Sequence, residues 1–284
     1  MIDETVPHSP AGSAMVRRLG TRLRTATRRC YSTVKRMRAF GLSLIRYVAS
    51  ILSHLLPQSH FARIHRRRTF QAIYRNQEWG TDGDSRFFSG VGSHGGPAAA
   101  YVDAMIPVIS AHLSECGDQP KIVDLGCGDF SVGARLIKRL PGLQYVGCDV
   151  VPEIVEHNRQ RYGTSFVQFE DVDVVSEDLP DGDICLVRQV FQHLSNRDIA
   201  CVLPKLRKYR FVYVTEAQPL ERSGRPNPDK PANADVRFDW RAGCGRGVEL
   251  DQPPWNLSLK ELLRVSGTLG VKEVIITHQV RFSD

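Results

Sequence analysis

Two glycines separated by a single residue, Gly126 and Gly128, follow a short apolar run that ends at Leu125. Glycine lets the backbone turn sharply and lets a ligand come close where a Cβ atom would obstruct it. The residues that follow suit a helix, whose amino end carries a partial positive charge. A dinucleotide fingerprint needs a third glycine three residues after the second, whereas here the next glycine is Gly133. The pattern therefore predicts a nucleotide-like ligand without a pyrophosphate above the first strand.

Acidic residues stand where a ligand of this kind needs them. S-adenosylmethionine (SAM) has no phosphate and carries an amino acid group and a sulfonium. Asp124, at the end of the first strand, suits the ammonium group directly or through water. Asp149 follows the glycines by about 20 residues, where a carboxylate can accept both ribose hydroxyls, of SAM or of NAD. Asp171 and Asp173 can both reach an adenine amino group, and Asp173 is preferred.

These residues need a sheet that brings strand ends together. Short apolar runs predict strands, and their positions are 121–125, 144–149, 165–169, 183–188, 209–216 and 271–277. Helical spacing predicts helices at 61–77, 98–115, 131–140, 152–162, 196–206 and 258–265. This alternation predicts an α/β fold, a doubly wound parallel sheet with helices on both faces. In such a sheet ligands bind at the carboxyl ends of the strands, where the strand order switches.

Four stretches resemble the class I, Rossmann-like SAM-dependent methyltransferases: VDLGCGDF (123–130), YVGCDV (145–150), EDLPDGDICLVRQVFQHLS (177–195) and VYVTE (212–216). The resemblance covers about residues 98–280 and implies a mostly parallel sheet of seven strands. Six strands are the alternative, since only one clear strand is visible near the end of the chain. In this family the glycine loop holds the methionine part of SAM, and the acid after the second strand holds the ribose. The cofactor-binding residues implied are Asp124, Gly126, Cys127, Gly128, Asp149, Val150, Asp173, Val174, Arg188 and Gln189.

Methyl transfer from a sulfonium is an in-line displacement, so the enzyme must align the nucleophile, methyl and sulfur. A hydroxyl nucleophile must also lose a proton. His193, after the fourth strand, and Glu216, at the end of the fifth, are the candidate catalytic bases; local packing or capping is the alternative for each. The polar segment 217–256, which contains Trp240, suits a sugar or another polyhydroxylated acceptor, and a solvated loop is the alternative.

The net charge of +7 is concentrated near the amino terminus. No acidic residue lies between Glu4 and Glu78, a stretch with 15 of the 38 lysines and arginines. Residues 1–60 are therefore predicted to be a basic, partly disordered and partly helical extension, with a helix over 13–56. This helix suits packing on the catalytic domain or a partner, an anionic membrane surface, or an organellar transit peptide. A membrane span is disfavoured by Arg46 and His54 in its apolar run.

The domain organisation follows from these patterns. Residues 61–97 are predicted to form a helix and a glycine-rich segment, which resembles the lid over the cofactor in related enzymes. Residues 98–284 are predicted to form the SAM-binding domain, with 217–256 as a substrate-side insert. Seven scattered cysteines without a C-x-x-C pair argue against a zinc ribbon or a dithiol redox motif. They suit a reducing, cytoplasmic location, free or peripheral at a membrane. The sequence contains no histidine and carboxylate set that would define a metal site.

Three functions are compatible with the sequence. The leading one is O-methylation of a small-molecule or glycan-type hydroxyl acceptor. The second is methylation of a protein or a lipid-like quinone. The third is a non-catalytic nucleotide-binding protein that is tethered by its basic amino terminus. Nucleic acid is disfavoured as a partner, because the basic stretch lacks interleaved aromatic residues and no N-P-P-[FY] tetrapeptide is present.

Overall fold

The computed structural model describes residues 56–83, 85–235, 245–266 and 273–282. The predicted basic helix over 13–56 lies outside these ranges, apart from its last residue. Among the helices of the described ranges, none is both long and apolar enough to cross a membrane.

The centre of the fold is a seven-stranded sheet, which confirms the predicted fold class. Its strands are β1 (Lys121–Leu125), β2 (Gln144–Asp149), β3 (Val167–Asp171), β4 (Ile184–Arg188), β5 (Phe211–Pro219), β6 (Ser258–Ser266) and β7 (Glu273–Arg281). The order across the sheet is β3-β2-β1-β4-β5-β7-β6. Strands β1 to β5 are parallel, and β7 pairs antiparallel with both β5 and β6. The order reverses between β1 and β4, so the ligand crevice is expected at their carboxyl ends.

Five α-helices accompany the sheet within the described ranges: α1 (His60–Arg75), α2 (Gly95–Leu113), α3 (Ser131–Arg139), α4 (Pro152–Tyr162) and α5 (Asn196–Val202). Helix α1 begins after Ser59, whose Oγ accepts a hydrogen bond from the Ala62 amide at 3.2 Å. Helix α5 begins with a capping box between Ser195 and Asp198. Short 3₁₀ turns lie at Val91–Ser93, Phe191–His193 and Leu203–Lys208.

The central strands are apolar because both of their faces are covered. Val123 and Leu125 of β1 pack into one buried cluster, and Ile122 packs into a second cluster with Tyr145. Since neighbouring side chains of a strand point to opposite faces, the two clusters are the two layers of the core. The polar residues of the predicted site follow these strands at their carboxyl ends.

The prediction of a helix at 258–265 is wrong, because this segment forms strand β6. Its leucines recur at a spacing that also suits a helix, but its backbone pairs along its length with β7, with an irregularity between Glu261 and Leu263. Side chains such as Lys260 and Glu261 are exposed, as is common on a sheet edge. The pair β6 and β7 completes the sheet and resolves the choice between six and seven strands in favour of seven.

The long segment between β5 and β6 has no helix or strand in its described parts, 220–235 and 245–257. Asn227, which is buried, holds these two parts together. Its Nδ2 donates to the carbonyl oxygens of Glu249 and Pro253 at 2.8 Å, and its Oδ1 accepts from the Glu249 amide at 2.8 Å. This loop is therefore ordered by side-chain to backbone hydrogen bonds rather than by regular structure.

Candidate active site

The loop after β1 turns on three residues with left-handed backbone, Gly126, Gly128 and Phe130. The amides of Gly126 and Cys127 donate to the Cys148 carbonyl at 2.8 and 2.9 Å, which ties the loop to β2. A Cβ atom at Gly126 would lie 2.5 Å from Val190 Cγ2, and one at Gly128 would overlap the Ser89 hydroxyl. Both positions therefore need glycine for conformation and for space.

Asp149 shapes the crevice beside this loop. Its Oδ2 accepts a hydrogen bond from the Gly128 amide at 3.1 Å, and its Oδ1 accepts one from the Val151 amide at 3.0 Å. Burial raises the pKa of Asp149 to about 6, although these amide bonds act in the opposite direction. The carboxylate keeps acceptor capacity for a ligand, because a carboxylate offers about four lone-pair sites.

Asp124 is the second buried carboxylate of the crevice. The Tyr145 hydroxyl donates a hydrogen bond to its Oδ2. Burial raises the pKa of Asp124 to about 6, while the bond from Tyr145 and the charge of Arg188 lower it. Two carboxylates at the ends of β1 and β2 make this part of the crevice suitable for a cation and for hydroxyl donors.

The two candidate adenine readers after β3 are both paired with arginines of α1. Arg66 donates hydrogen bonds to both oxygens of Asp173. Arg67 Nη2 donates to Asp171 Oδ1 and Oδ2 at 2.6 and 2.7 Å. Arg67 also donates to the Val150 carbonyl at 3.3 Å. Helix α1 is thus joined to the carboxyl ends of β2 and β3.

The glycine-rich segment lies against the loop after β1, where Ser89 and Asp129 exchange hydrogen bonds. The Ser89 amide donates to Asp129 Oδ2 at 2.7 Å, and the Asp129 amide donates to Ser89 Oγ at 2.8 Å. His94 Nε2 lies 2.8 Å from Asp129 Oδ2, and the Tyr74 hydroxyl lies 3.1 Å from Ser89 Oγ. The segment predicted as a lid therefore covers the glycine loop.

Arg188, at the end of β4, connects the same lid to the sheet. Its guanidinium donates to the Gly92 carbonyl and to Ser93 Oγ, the latter at 3.1 Å. It also lies 5.0 Å from the centre of the Tyr101 ring. The next residue, Gln189, has a positive φ of 56°, so the chain turns sharply out of the strand.

The turn after β4 carries His193, and a chain of hydrogen bonds orients it. Glu216 accepts from the amides of Phe191 and Gln192 at 2.8 and 3.0 Å. Gln192 Oε1 accepts from the Ala217 amide at 3.2 Å, and Gln192 Nε2 lies 3.2 Å from His193 Nε2. Burial, and after it the charge of Lys230, lowers the pKa of His193 to about 3. The imidazole is therefore neutral at physiological pH.

These elements enclose a cavity of about 290 Å³ at the carboxyl ends of the strands. All ten predicted cofactor-binding residues and His193 line it, whereas Glu216 does not and instead holds the turn behind it. The cavity walls also include residues that the sequence did not single out for the site: Arg66, Phe70, Tyr74, Ser89 and Tyr101. Three of these lie on the helix predicted at 61–77, where helical spacing does not say which face meets the site, and Ser89 lies in the glycine-rich segment that follows.

A protein-family model described as "Methyltransferase domain" matches residues 123–209. This range contains the glycine loop, Asp124, Asp149 and the turn after β4, and it lies within the seven-stranded sheet described above. Residues 123–209 therefore form a methyltransferase domain on a Rossmann-like sheet, and the protein is a SAM-dependent methyltransferase. The search against curated proteins gave no significant match for this methyltransferase.

Several solved structures of methyltransferases are similar to this one. The magnesium protoporphyrin IX methyltransferase (ChlM) from Synechocystis PCC 6803 has 15% sequence identity and a TM-score of 0.48, over 78% of this chain and 99% of that chain. The N-methyltransferase NodS from Bradyrhizobium japonicum WM9 has 16% identity and a TM-score of 0.43, over 64% and 96%. The 1,6-didemethyltoxoflavin-N1-methyltransferase from Burkholderia thailandensis has 16% identity and a TM-score of 0.44, over 77% and 88%.

The cavity fits SAM in the chemistry of its walls. Asp124 is placed for an ammonium group and Asp149 for hydroxyl donors, and Gly126 and Gly128 of the loop beside them add no Cβ atom to the cavity wall. The Arg188 Nε atom is buried and has no hydrogen-bond partner among the described residues, so it can donate to a bound carboxylate. These residues would hold the methionine and ribose parts of SAM.

The Cys127 and Cys148 thiols of the methyltransferase lie in and beside the glycine loop, the first half-buried and the second buried. Burial raises the pKa values of the Cys127 and Cys148 thiols well above their usual range, so both remain protonated and unreactive. Within the part of the chain that the structure describes, no group of three or more His, Cys, Asp or Glu residues could hold a metal ion.

Proposed function

We propose that this methyltransferase transfers the methyl group of SAM to a hydroxyl oxygen of a small molecule that enters the cavity beside His193. The observation that carries the proposal is the closure of the cavity on its acceptor side. Trp79 Nε1 of the lid donates a hydrogen bond to the Ala234 carbonyl of the insert at 3.1 Å, and both residues line the cavity. A cavity that is bridged on this side by a lid-to-insert contact suits a small acceptor better than a folded protein surface.

The acceptor side combines rings with a few polar groups. The Trp79 ring lies 5.0 Å from the His193 ring and 5.1 Å from the Tyr74 ring. Gln189 and Gln192 offer amide groups on the same wall. Such a wall binds a flat or ring-shaped acceptor through its apolar faces and orients its hydroxyl through hydrogen bonds, which also suits a sugar ring.

SAM, when it is bound, supplies a methyl group on a positively charged sulfur. The acceptor oxygen attacks the methyl carbon in line with the breaking C–S bond, and the hydroxyl proton leaves. We propose that His193 accepts this proton at Nε2, exchanging its 3.2 Å contact with Gln192 Nε2 for the acceptor hydroxyl, since its neutral imidazole lines the cavity. A base with so low a pKa accepts the proton only as the oxygen becomes positively charged, late in the transfer. Glu216 positions the turn that carries His193.

An acceptor screen with radiolabelled SAM tests the proposal. Pools of phenols, hydroxylated small molecules and glycans are compared with proteins, quinone lipids and amines. Label that enters a small hydroxylated compound as an alkali-stable O-methyl group supports O-methylation. This label should disappear when the hydroxyl group of the compound is blocked. Label only in protein, in quinone lipid or on nitrogen contradicts it.

Variants of His193 test its role separately from the fold. His193→Phe keeps a ring against Trp79 but removes both nitrogens, so it should lower kcat by 10²- to 10⁴-fold, roughly the contribution of general base catalysis. The SAM affinity should change little. Equal loss of kcat and of SAM affinity would show that His193 acts by packing alone.

We also propose that residues 1–60 attach the enzyme to an anionic membrane surface from the cytoplasmic side. The segment is strongly basic, and at its described end Leu56 and Phe61 are 60% and 71% exposed. Basic and apolar groups together bind anionic lipids. Flotation with phosphatidylserine vesicles tests this. The full chain is compared with a variant in which four arginines are replaced by glutamine: Arg17, Arg18, Arg22 and Arg24. Equal flotation of both contradicts a role for the basic segment.

A further inference from the structure

Arg66 of α1 lies between two buried carboxylates of the methyltransferase domain. Its Nε and Nη2 donate to the two oxygens of Asp173 at 3.1 and 2.5 Å, and its Nη1 donates to Asp198 Oδ1 at 3.0 Å. The three side chains are 3%, 2% and 6% exposed. A planar guanidinium is suited to such a forked contact, which a lysine ammonium cannot reproduce.

The Asp173 carboxylate has further donors within its own loop. The Val175 amide donates to Oδ1 at 3.2 Å, and the Ser176 hydroxyl donates to Oδ2 at 2.6 Å. Each oxygen therefore accepts two hydrogen bonds. Since an ionised carboxylate offers about four lone-pair sites, Asp173 has no acceptor left for an adenine amino group.

Helix α1 in turn forms a wall of the cofactor cavity. Phe70 and Tyr74, one and two turns after Arg66, both line it. The Tyr74 hydroxyl also holds Ser89 of the lid. Arg66 is the buried charged residue of this helix, so its contacts, together with those of the half-buried Arg67, fix the position of the wall.

We infer that Arg66, Asp173 and Asp198 form a positioning cluster that makes α1 part of the cofactor site, and that Asp173 anchors this helix instead of reading the adenine amino group. The cluster extends the cofactor site beyond residues 123–209, since Arg66 precedes that range by 57 residues. The inference concerns SAM binding and does not depend on the acceptor proposed above.

The first experiment separates reading from anchoring. Calorimetry measures the Kd of the full-length enzyme for S-adenosylhomocysteine (SAH) and for S-inosylhomocysteine, which carries a 6-oxo group in place of the 6-amino group. If Asp173 only anchors α1, Asp173→Asn weakens both ligands and leaves their Kd ratio within about twofold of the wild-type ratio. A ratio that collapses toward one in Asp173→Asn shows that Asp173 reads the amino group and overturns the inference.

The second experiment tests the positioning role. Arg66→Lys and Asp198→Asn keep charge or shape and should each weaken SAH binding about tenfold or more. Arg63→Lys is the matched control on the same helix, because Arg63 pairs with Glu177 at 2.9 Å with both side chains about one-third exposed. An exposed pair contributes little, so the control should change the Kd less than about twofold.

All affinities in this series are measured well below the Tm of each variant. A merely structural role lowers Tm but leaves the affinity of the folded enzyme unchanged. Folded Arg66→Lys and Asp198→Asn enzymes that bind SAH as tightly as the Arg63→Lys control would overturn the positioning role. Should either variant fail to fold, the other still gives the comparison.

Discussion

Gly128→Ala perturbs the contact between the glycine loop and the lid. Gly128 has a φ of 55°, and a Cβ atom there would overlap Ser89 Oγ and lie 3.3 Å from the Tyr74 hydroxyl oxygen. Ser89 cannot yield without cost, because its Oγ accepts from the Asp129 amide at 2.8 Å and contacts the Tyr74 hydroxyl at 3.1 Å. The substitution should therefore displace the lid from the loop.

The magnitude follows from these contacts. A non-glycine residue in the left-handed region costs about 1–2 kcal/mol in the folded state. The two hydrogen bonds of Ser89 Oγ, with the Asp129 amide and the Tyr74 hydroxyl, contribute about 1 kcal/mol each. The strain lowers the free energy of unfolding with or without ligand. The two lost bonds weaken lid closure by about 2 kcal/mol, which corresponds to about thirtyfold weaker SAH binding.

Calorimetry with SAH and thermal unfolding provide the assay. Gly142→Ala is the control, because Gly142 also has a positive φ, 81°, but has no other heavy atom within 4 Å of its added Cβ and does not line the cavity. The control should lose stability from strain and keep its SAH affinity. Equal SAH affinity in Gly128→Ala and Gly142→Ala would refute the argument that the lid closes on the glycine loop.

Three further predictions concern charge and closure. SAH affinity should fall as the pH drops below 6, by up to about tenfold per pH unit for each carboxylate. The ligand's ammonium and hydroxyl groups need ionised Asp124 and Asp149, whose pKa values are raised to about 6 without ligand. A Kd from calorimetry that stays constant from pH 7 to 5 would contradict this. Tyr145→Phe removes a hydrogen-bond donor to Asp124, so the pKa of Asp124 should rise and the midpoint of the same titration should move to higher pH; an unmoved midpoint would show that Asp124 does not control binding. Trp79→Phe loses the hydrogen bond to the Ala234 carbonyl, which contributes about 1 kcal/mol. The acceptor KM should therefore rise about fivefold, with little change in SAH affinity. An acceptor KM equal to that of the wild type would contradict the proposed closure.

The central part of the site could be predicted from the sequence because its signals are local. Gly126 and Gly128 follow an apolar strand directly, and Asp149 ends the next strand. Parallel strands bring their carboxyl ends to one edge, so residues at strand ends must meet once the sheet forms. The lid segment was also predictable as a loop from its glycines, although its contact with Asp129 was not.

Other features depended on contacts that local patterns do not specify. The segment Ser258–Ser266 has leucines at a spacing that suits a helix, yet it forms an edge strand because β7 offers it a backbone partner. Glu216 was a candidate base from its predicted position at the end of the fifth strand, but it lies within β5 and its carboxylate holds the turn at Phe191 and Gln192. In both cases the decisive partner is a different element, which is β7 for the edge strand and the turn after β4 for Glu216.

The sequence by itself determined the class of fold and the loop that approaches the ligand, since these follow from the apolar period, two glycines and one carboxylate within about 30 residues of each other. The cofactor was implied by the resemblance of four stretches to the class I methyltransferases. Only the tertiary structure decided how the site is closed. Arg66 meets Asp173 across 107 residues, and Trp79 meets Ala234 across 155. Such pairs leave no periodic trace in the sequence, because a buried hydrogen bond needs its two atoms at the right distance and places no requirement on the chain between them.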